Sequence, residues 1–223
     1  MESHYSDTNS MKETINIKRG NDITPITYID SGQIAEIKKH GNKFHEFTML
    51  EAIAKMDLPR GTFLDIGAHV GNHSIFFAKY CDSCAQVMAF EASPITFEIA
   101  AKNMAIYGNT FIANMAVGAE PGRCKVNHNS ERPGQSVVVS GNQVPMTKID
   151  DVQFIYPPVL MKIDVEGGEI DLLKGAKETI AKHLPELFIE HHADPADLLP
   201  HLPNKYKIIK RYNNAPTYHL SAR

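Results

Sequence analysis

Between residues 62 and 191 one pattern recurs: a short apolar run, a tight turn, then a stretch with apolar residues at helical spacing. The apolar runs cover 62–66, 86–91, 110–117, 157–164 and 187–191. Helical spacing follows at 74–80, from Pro94 to about residue 107, and at 169–182, where Ile170, Leu173, Ala176 and Ile180 share a face. Runs this short and this apolar read as strands buried on both sides. Alternated with helices, they call for a parallel sheet covered on both faces, an α/β domain. The flanks are less regular. Residues 1–14 are polar and read as frayed, 15–37 as a short antiparallel prelude, and 43–56 as a helix stopped by Asp57-Leu58-Pro59-Arg60-Gly61. Residues 118–158 are rich in Gly, Pro, Asn and Ser and read as irregular, with one β-type stretch at 136–140. Residues 205–211 and 217–222 read as a closing antiparallel pair.

Composition narrows the class. The 223 residues are 43% hydrophobic and 22% charged, which excludes disorder, collagen and a simple coiled coil. A net charge of −3 gives no electrostatic footprint for nucleic acid. No apolar run approaches the ~18 residues a membrane span needs, and the first twenty residues lack the apolar core of a secretory signal. Three cysteines make no disulfide framework in a chain of this length. A soluble cytoplasmic domain, with neither nucleic acid nor membrane as partner, is the expectation.

The most specific local signal is Leu64-Asp65-Ile66-Gly67-Ala68-His69-Val70-Gly71-Asn72. A strand runs straight into a turn whose glycines allow unusual dihedrals and close approach of a ligand. The helix that follows presents free N–H groups. Glu91 stands at the end of the next strand, 24 residues after Gly67. In doubly wound nucleotide folds an acid about 20 residues past the glycines takes the ribose hydroxyls. Dinucleotide proteins use G-x-G-x-x-G to cradle a pyrophosphate. Here the pattern is D-x-G-x-x-x-G, and Asp65 suits an ammonium better than a phosphate. S-adenosyl-L-methionine carries an ammonium, a carboxylate and an adenosine without phosphate, so it is the cofactor the pattern favours over a nicotinamide dinucleotide.

Three blocks, FLDIGAHVGNHSIFFAKY (63–80), VMAFEASPITFEIAAKNM (87–104) and LMKIDVEGGEIDLLKGAKETI (160–180), resemble the FkbM-type methyltransferases. The resemblance spans 43–192 and implies a Rossmann-like seven-stranded class I methyltransferase sheet, order 3-2-1-4-5-7-6, with the last strand antiparallel. It divides the chain into an N-terminal β/α extension, 1–42, and a methyltransferase domain, 43–223. It implies O-methylation of a small-molecule, sugar or natural-product hydroxyl, with self-association into a homodimer left open. Position by position, Asp65, Gly67, Gly71 and Asn72 resemble the methionine-side turn, and Glu91 the ribose acid. Ala92 and Ser93, with Asn114, Met115 and Ala116, fall where such enzymes border the adenine, and Glu46 where they close over the cofactor. His69, followed by His73, departs from the family, where Asn is common at the first of these positions.

Removing the proton from a hydroxyl requires a base or a metal. Asp164, Glu166, Glu190, His191 and His192 fall at the ends of the fourth and fifth strands, where open sheets bind ligands. Asp164 is the favoured central carboxylate, as base or as positioning group, with Glu190 and His191 beside it. A divalent metal held by Asp164, Glu190 and one histidine is the alternative chemistry, although no metal-ligand spacing indicates it. Cys81 and Cys84 have the spacing of half a zinc knuckle but read more simply as reduced thiols at a helix end. Lys205, Lys207, Lys210, Arg211 and Arg223, in a segment without acids, read as a solvated strand face, with attraction of an anionic substrate such as a phosphorylated or uronic sugar as the alternative. Asn127, His128, Arg132 and Gln135 are candidates for acceptor selection. Two other classes stay open: an NAD-dependent oxidoreductase, disfavoured because the G-x-G-x-x-G turn is absent, and a nucleotide-binding module without catalysis.

Overall fold

The computed structural model describes residues 12–127, 137–212 and 216–223. Of the acceptor-selection candidates, His128, Arg132 and Gln135 lie outside the described residues, and Asn127 is exposed. An antiparallel hairpin opens the fold, β1 (Glu13–Arg19) and β2 (Asp22–Tyr28). Alternation turns Ile15, Ile17, Thr24, Ile26 and Tyr28 inward and leaves Ile23 exposed on the outer face.

The prelude then ends earlier than the sequence predicts. Helix α1 (Ser31–Lys39) follows at once, capped by Asp30, whose side chain accepts from the Gln33 N–H at 2.9 Å. Only Ile34 and Ile37 of α1 are buried. Two apolar residues three apart are too few to announce a helix by period. Helix α2 (Phe47–Ala54) is shorter than the predicted 43–56.

The main sheet begins with β3 (Gly61–Ile66), α3 (Asn72–Tyr80), β4 (Cys84–Phe90), α4 (Pro94–Met104) and β5 (Thr110–Ala113). The apolar run predicted to continue to residue 117 instead divides. Its end, β6 (Ala116–Val117), joins a second sheet with β7 (Gly122–Asn127), β8 (Val137–Ser140) and β9 (Val144–Thr147), in the order β6-β9-β7-β8. Part of the predicted irregular stretch therefore belongs to a small half-buried sheet. Its core needs only Ala116, Cys124, Val126 and Val144, too sparse a pattern to stand out among glycines and asparagines.

The main sheet resumes with β10 (Pro158–Ile163), then α5 (Glu169–Gly175), α6 (Lys177–His183), β11 (Glu186–Glu190), β12 (Lys207–Tyr212) and β13 (Thr217–Ser221). The single helix expected over 169–182 breaks at Ala176. Just before the break a Cβ on Gly175 would lie 2.0 Å from the Gly118 carbonyl oxygen, so glycine alone lets the two segments touch there.

The seven strands run in the order β12-β13-β11-β10-β3-β4-β5. Neighbours from β11 to β5 are parallel, and β13 is antiparallel to both β11 and β12. Alternate residues of β3 feed opposite faces. Phe63 packs with the hairpin, α2, α3 and α4, whereas Leu64 and Ile66 pack with α5 and α6. The N-terminal hairpin shares that first core. The Asn103 side chain donates to the Thr27 and Val70 carbonyls at 2.9 and 2.8 Å, stitching β2 to α4 and to the turn after β3. Among the described residues no helix is long and apolar enough to cross a membrane.

Candidate active site

The turn after β3 is built around Gly67, whose φ is +82°. Its N–H donates to the Phe90 carbonyl at 2.9 Å, and the Asp164 N–H donates to the Ile66 carbonyl at 2.9 Å. A Cβ on Gly67 would lie 1.7 Å from the Asp164 carbonyl oxygen, so the ends of β3 and β10 meet only because this residue has none. Gly71, φ +85°, starts α3. Between them His69 also has a positive φ, +52°, and its N–H donates to Glu91 Oε2 at 2.7 Å.

Glu91 is held from both sides. Its Oε1 accepts from the Ser93 N–H at 2.8 Å and from Thr96 Oγ1 at 2.9 Å. Burial nevertheless raises its carboxyl to about 7, against the pull of these donors. The result is a fixed, largely dehydrated carboxyl at the end of β4.

A cavity of about 740 Å³ lies over the C-terminal ends of β3, β4 and β10. Gly67, His69, Asn72, His73, Glu91, Ala92, Met115, Ala116, Asp164 and Glu190 line it. Other sequence candidates stand behind this wall. Asp65 is wholly buried, with Oδ2 accepting from Ser74 Oγ at 2.6 Å and Oδ1 without a hydrogen-bond partner. Ser93 caps α4 through its Oγ, and Asn114 Nδ2 donates to the Glu91 and Ala92 carbonyls at 2.9 and 3.1 Å, fixing the backbone that lines the cavity. Gly71 shapes the turn from below, facing Met104.

Asn72 has a second attachment. Its Oδ1 accepts from the Tyr28 hydroxyl at 2.9 Å and from the His45 N–H at 3.1 Å, anchoring the segment before α2. Glu46, in left-handed conformation at φ +56°, is buried 3.0 Å from His73 Nε2 and accepts from Thr217 Oγ1 at 3.3 Å. Burial alone would raise its carboxyl, but the contact with His73 and the positive charge of Lys162 outweigh it, and the group is lowered to about 2. It belongs to an adjoining hollow rather than to the main cavity.

His191 also lies away from the cavity. Its Nδ1 is 3.2 Å from Glu169 Oε2, and Glu169 Oε1 accepts from the Gly167 N–H at 2.7 Å. The pair braces the Glu166-Gly167-Gly168 loop. His192, on the opposite side of the chain, is exposed and 3.1 Å from Glu190 Oε1.

Lys162, which no local motif singles out, also lines the cavity and is 1% exposed on β10. Its Nζ donates to Asp164 Oδ2 at 2.9 Å. Burial would lower this ammonium; the carboxylates of Asp164, Asp65 and Glu46 more than reverse that and hold it above the usual lysine range. The signal was present in the sequence, since a lone charge in the middle of a fully buried strand needs partners. Glu190 is raised to about 7 by burial and then by the Asp164 charge, and Glu166 is raised by burial in the same way. Burial lowers His69 to about 4, leaving its ring neutral. Cys81 and Cys84 are buried free thiols pushed up to about 12 by burial. Among the described residues no group of three or more His, Cys, Asp or Glu side chains is arranged to hold a metal ion.

This geometry can be set beside known proteins. The chain is 27% identical over 148 residues to the hexuronic acid methyltransferase AglP of Haloferax volcanii, covering 60% of this chain and 58% of that protein. It is 22% identical over 164 residues to the methyltransferase sdnD of Sordaria araneosa, covering 55% of this chain and 63% of the other. It thus spans about three fifths of the length of these curated relatives. The crystal structure of the FkbM methyltransferase of Methylobacillus flagellatus shares the fold, with a TM-score of 0.53 at 17% identity over 78% of this chain and 51% of that one. Residues 65–212 match the model of the methyltransferase FkbM domain, from the acid of the first turn to the end of β12, and the chain belongs to that family.

Proposed function

We propose that this protein transfers a methyl group from S-adenosyl-L-methionine to a hydroxyl of a small, sugar-type acceptor. The observation that carries the reading is one cavity bordered by two carboxyl sites of different character. On one side is Glu91, fixed by backbone and Thr96 donors; on the other are Asp164 and Glu190. The residues suit that cofactor. Glu91 offers a carboxylate to vicinal ribose hydroxyls. Gly67 and His69 form a turn whose backbone is approachable, and His69 Nε2 is buried without a hydrogen-bond partner. Met115 and Ala116 supply an apolar wall for adenine. Bound there, S-adenosyl-L-methionine would supply an electrophilic methyl group on a sulfonium.

The chain's own contribution is alignment and proton removal. Asp164 is positioned by Lys162, whose Nζ donates to Oδ2 at 2.9 Å, and Oδ1 can accept a hydrogen bond from the acceptor hydroxyl. Glu190, raised to about 7, is matched to taking that proton near neutrality. Asp164→Asn is expected to keep affinity for S-adenosylhomocysteine within about threefold and to cut transfer by roughly 10²-fold or more. An equal loss of both would make Asp164 a cofactor ligand only.

Calorimetric titration with S-adenosylhomocysteine, with NADH in a parallel cell, tests the cofactor. Binding of the first alone is the expected result; binding of NADH alone would return the chain to the oxidoreductase class. Glu91→Ala is expected to weaken S-adenosylhomocysteine by about a hundredfold, the effect of losing hydrogen bonds to a charged group. The same contact predicts a pH dependence. Ribose hydroxyls donate to the ionised carboxyl, and Glu91 ionises only near 7, so affinity rises as pH increases through about 7 and falls on acidification. Glu91→Gln should flatten that profile.

A further inference from the structure

Residues 12–64 lie outside the part of the chain that matches the family, yet they build one wall of the cavity. Asp30, Gly32, Gln33 and Glu36 reach it from α1 and its cap. Asp30 and Glu36 bring carboxyls to this wall, and His45 brings an imidazole whose Nδ1 lies 3.9 Å from Glu36 Oε2. Asp30 is 8% exposed and spends one oxygen on the Gln33 N–H. That bond caps one N–H of the first turn of α1. Gln33 Oε1 is buried without a hydrogen-bond partner, and so is Nε2 of the neutral His69 on the facing turn. Glu36 stands one turn further along α1. Opposite, the cavity carries Asp164, Glu166 and Glu190, and its one lysine, Lys162, is already bonded to Asp164.

On the side of α1, away from the cofactor turn, these carboxyls favour an acceptor that brings donors and positive charge over one that brings a carboxylate. Resting on the methyl-transfer reading above, we propose that the acceptor is a hydroxyl compound bearing a protonated amine, of the amino-sugar type, and that Asp30, Gln33 and Glu36 of α1 select it. The ammonium and neighbouring hydroxyls would donate to these three side chains while the reacting hydroxyl faces Asp164 and Glu190. This is the opposite charge preference to that of a uronic acid.

The test is ligand-observed NMR with glucosamine, glucose and glucuronate at matched concentrations, on the free protein and on protein saturated with S-adenosylhomocysteine. Glucosamine should bind about tenfold tighter than glucuronate, with glucose between them. Glu36→Lys, at an exposed position in the middle of α1, should reduce or invert that ratio by about tenfold while S-adenosylhomocysteine affinity holds. Glucuronate binding as well as glucosamine, a ratio unmoved by Glu36→Lys, or equal signals from all three sugars, including none, overturns the proposal. Failure of S-adenosylhomocysteine itself to bind would instead strike the cofactor assignment, because the sugar ranking on the free protein is read separately.

Discussion

Replacing Lys162 by Met should lower unfolding stability by about 3–5 kcal/mol, the cost of leaving buried charge without its partner. The methionine fits the strand, so the loss is electrostatic. Asp65 is wholly buried and Glu46 nearly so, while Asp164 loses the ammonium 2.9 Å away. Without Lys162 these carboxyls lose the buried cation that faces all three. Urea unfolding measures the loss. Adding Asp65→Asn to Lys162→Met should restore part of the loss, because it removes the most deeply buried of the uncompensated acids. No rescue in the double variant would mean that Lys162 matters through packing rather than charge.

Gly67→Ala carries the second large effect. The added methyl would sit 1.7 Å from a backbone carbonyl at the end of β10, and φ is +82°. Neither partner is a flexible side chain that can swing away. We expect a loss of about 3 kcal/mol or more, and a fall in Tm on the order of 10 °C. Gly71→Ala is the instructive comparison. It has a similar φ but faces the Met104 side chain at 3.1 Å, which can move, so its cost should be clearly smaller. A scanning calorimetry trace showing equal shifts for both would mean that backbone strain, and not the closeness of β3 to β10, sets the cost.

What the sequence made legible follows from how many residues each feature needs. The turn at 64–72 and the acid at Glu91 were readable because a strand end, two positive-φ glycines and a carboxyl at fixed spacing are all dictated by backbone geometry. The buried strands were readable because each is apolar throughout. Helix α1 was not, since Ile34 and Ile37 are its only buried residues and its cap, Asp30, is one polar residue among many. The second sheet was hidden for the same reason: Cys124 and Val126 are the whole of the apolar alternation in β7. At the site, Asp164, Glu190 and His191 all end strands, but parity and tertiary pairing then sort them. Glu169 reaches back to hold His191 in the interior, a contact between residues 22 apart that no local pattern announces. Lys162 was visible as a letter but not as a partner, because Asp65 and Glu46, which complete its environment, come from other elements.

The place of β13 governs when this sheet can form. It lies between β11 and β12 and is antiparallel to both, so β12 reaches the rest of the sheet only through a strand synthesised after it. On the ribosome the order of emergence therefore works against early completion. The nascent chain can pair β3, β4, β5, β10 and β11 as they appear, but the outer edge of β11 stays open and β12 waits without its ladder until residue 221 has cleared the exit tunnel. Throughout that interval the Leu187, Phe188 and Ile189 backbone is an unfilled edge, the kind of surface that recruits foreign strands and holdase chaperones. Translation pauses between β11 and residue 217 should prolong that vulnerability, and faster delivery of the codons for 217–221 should shorten it.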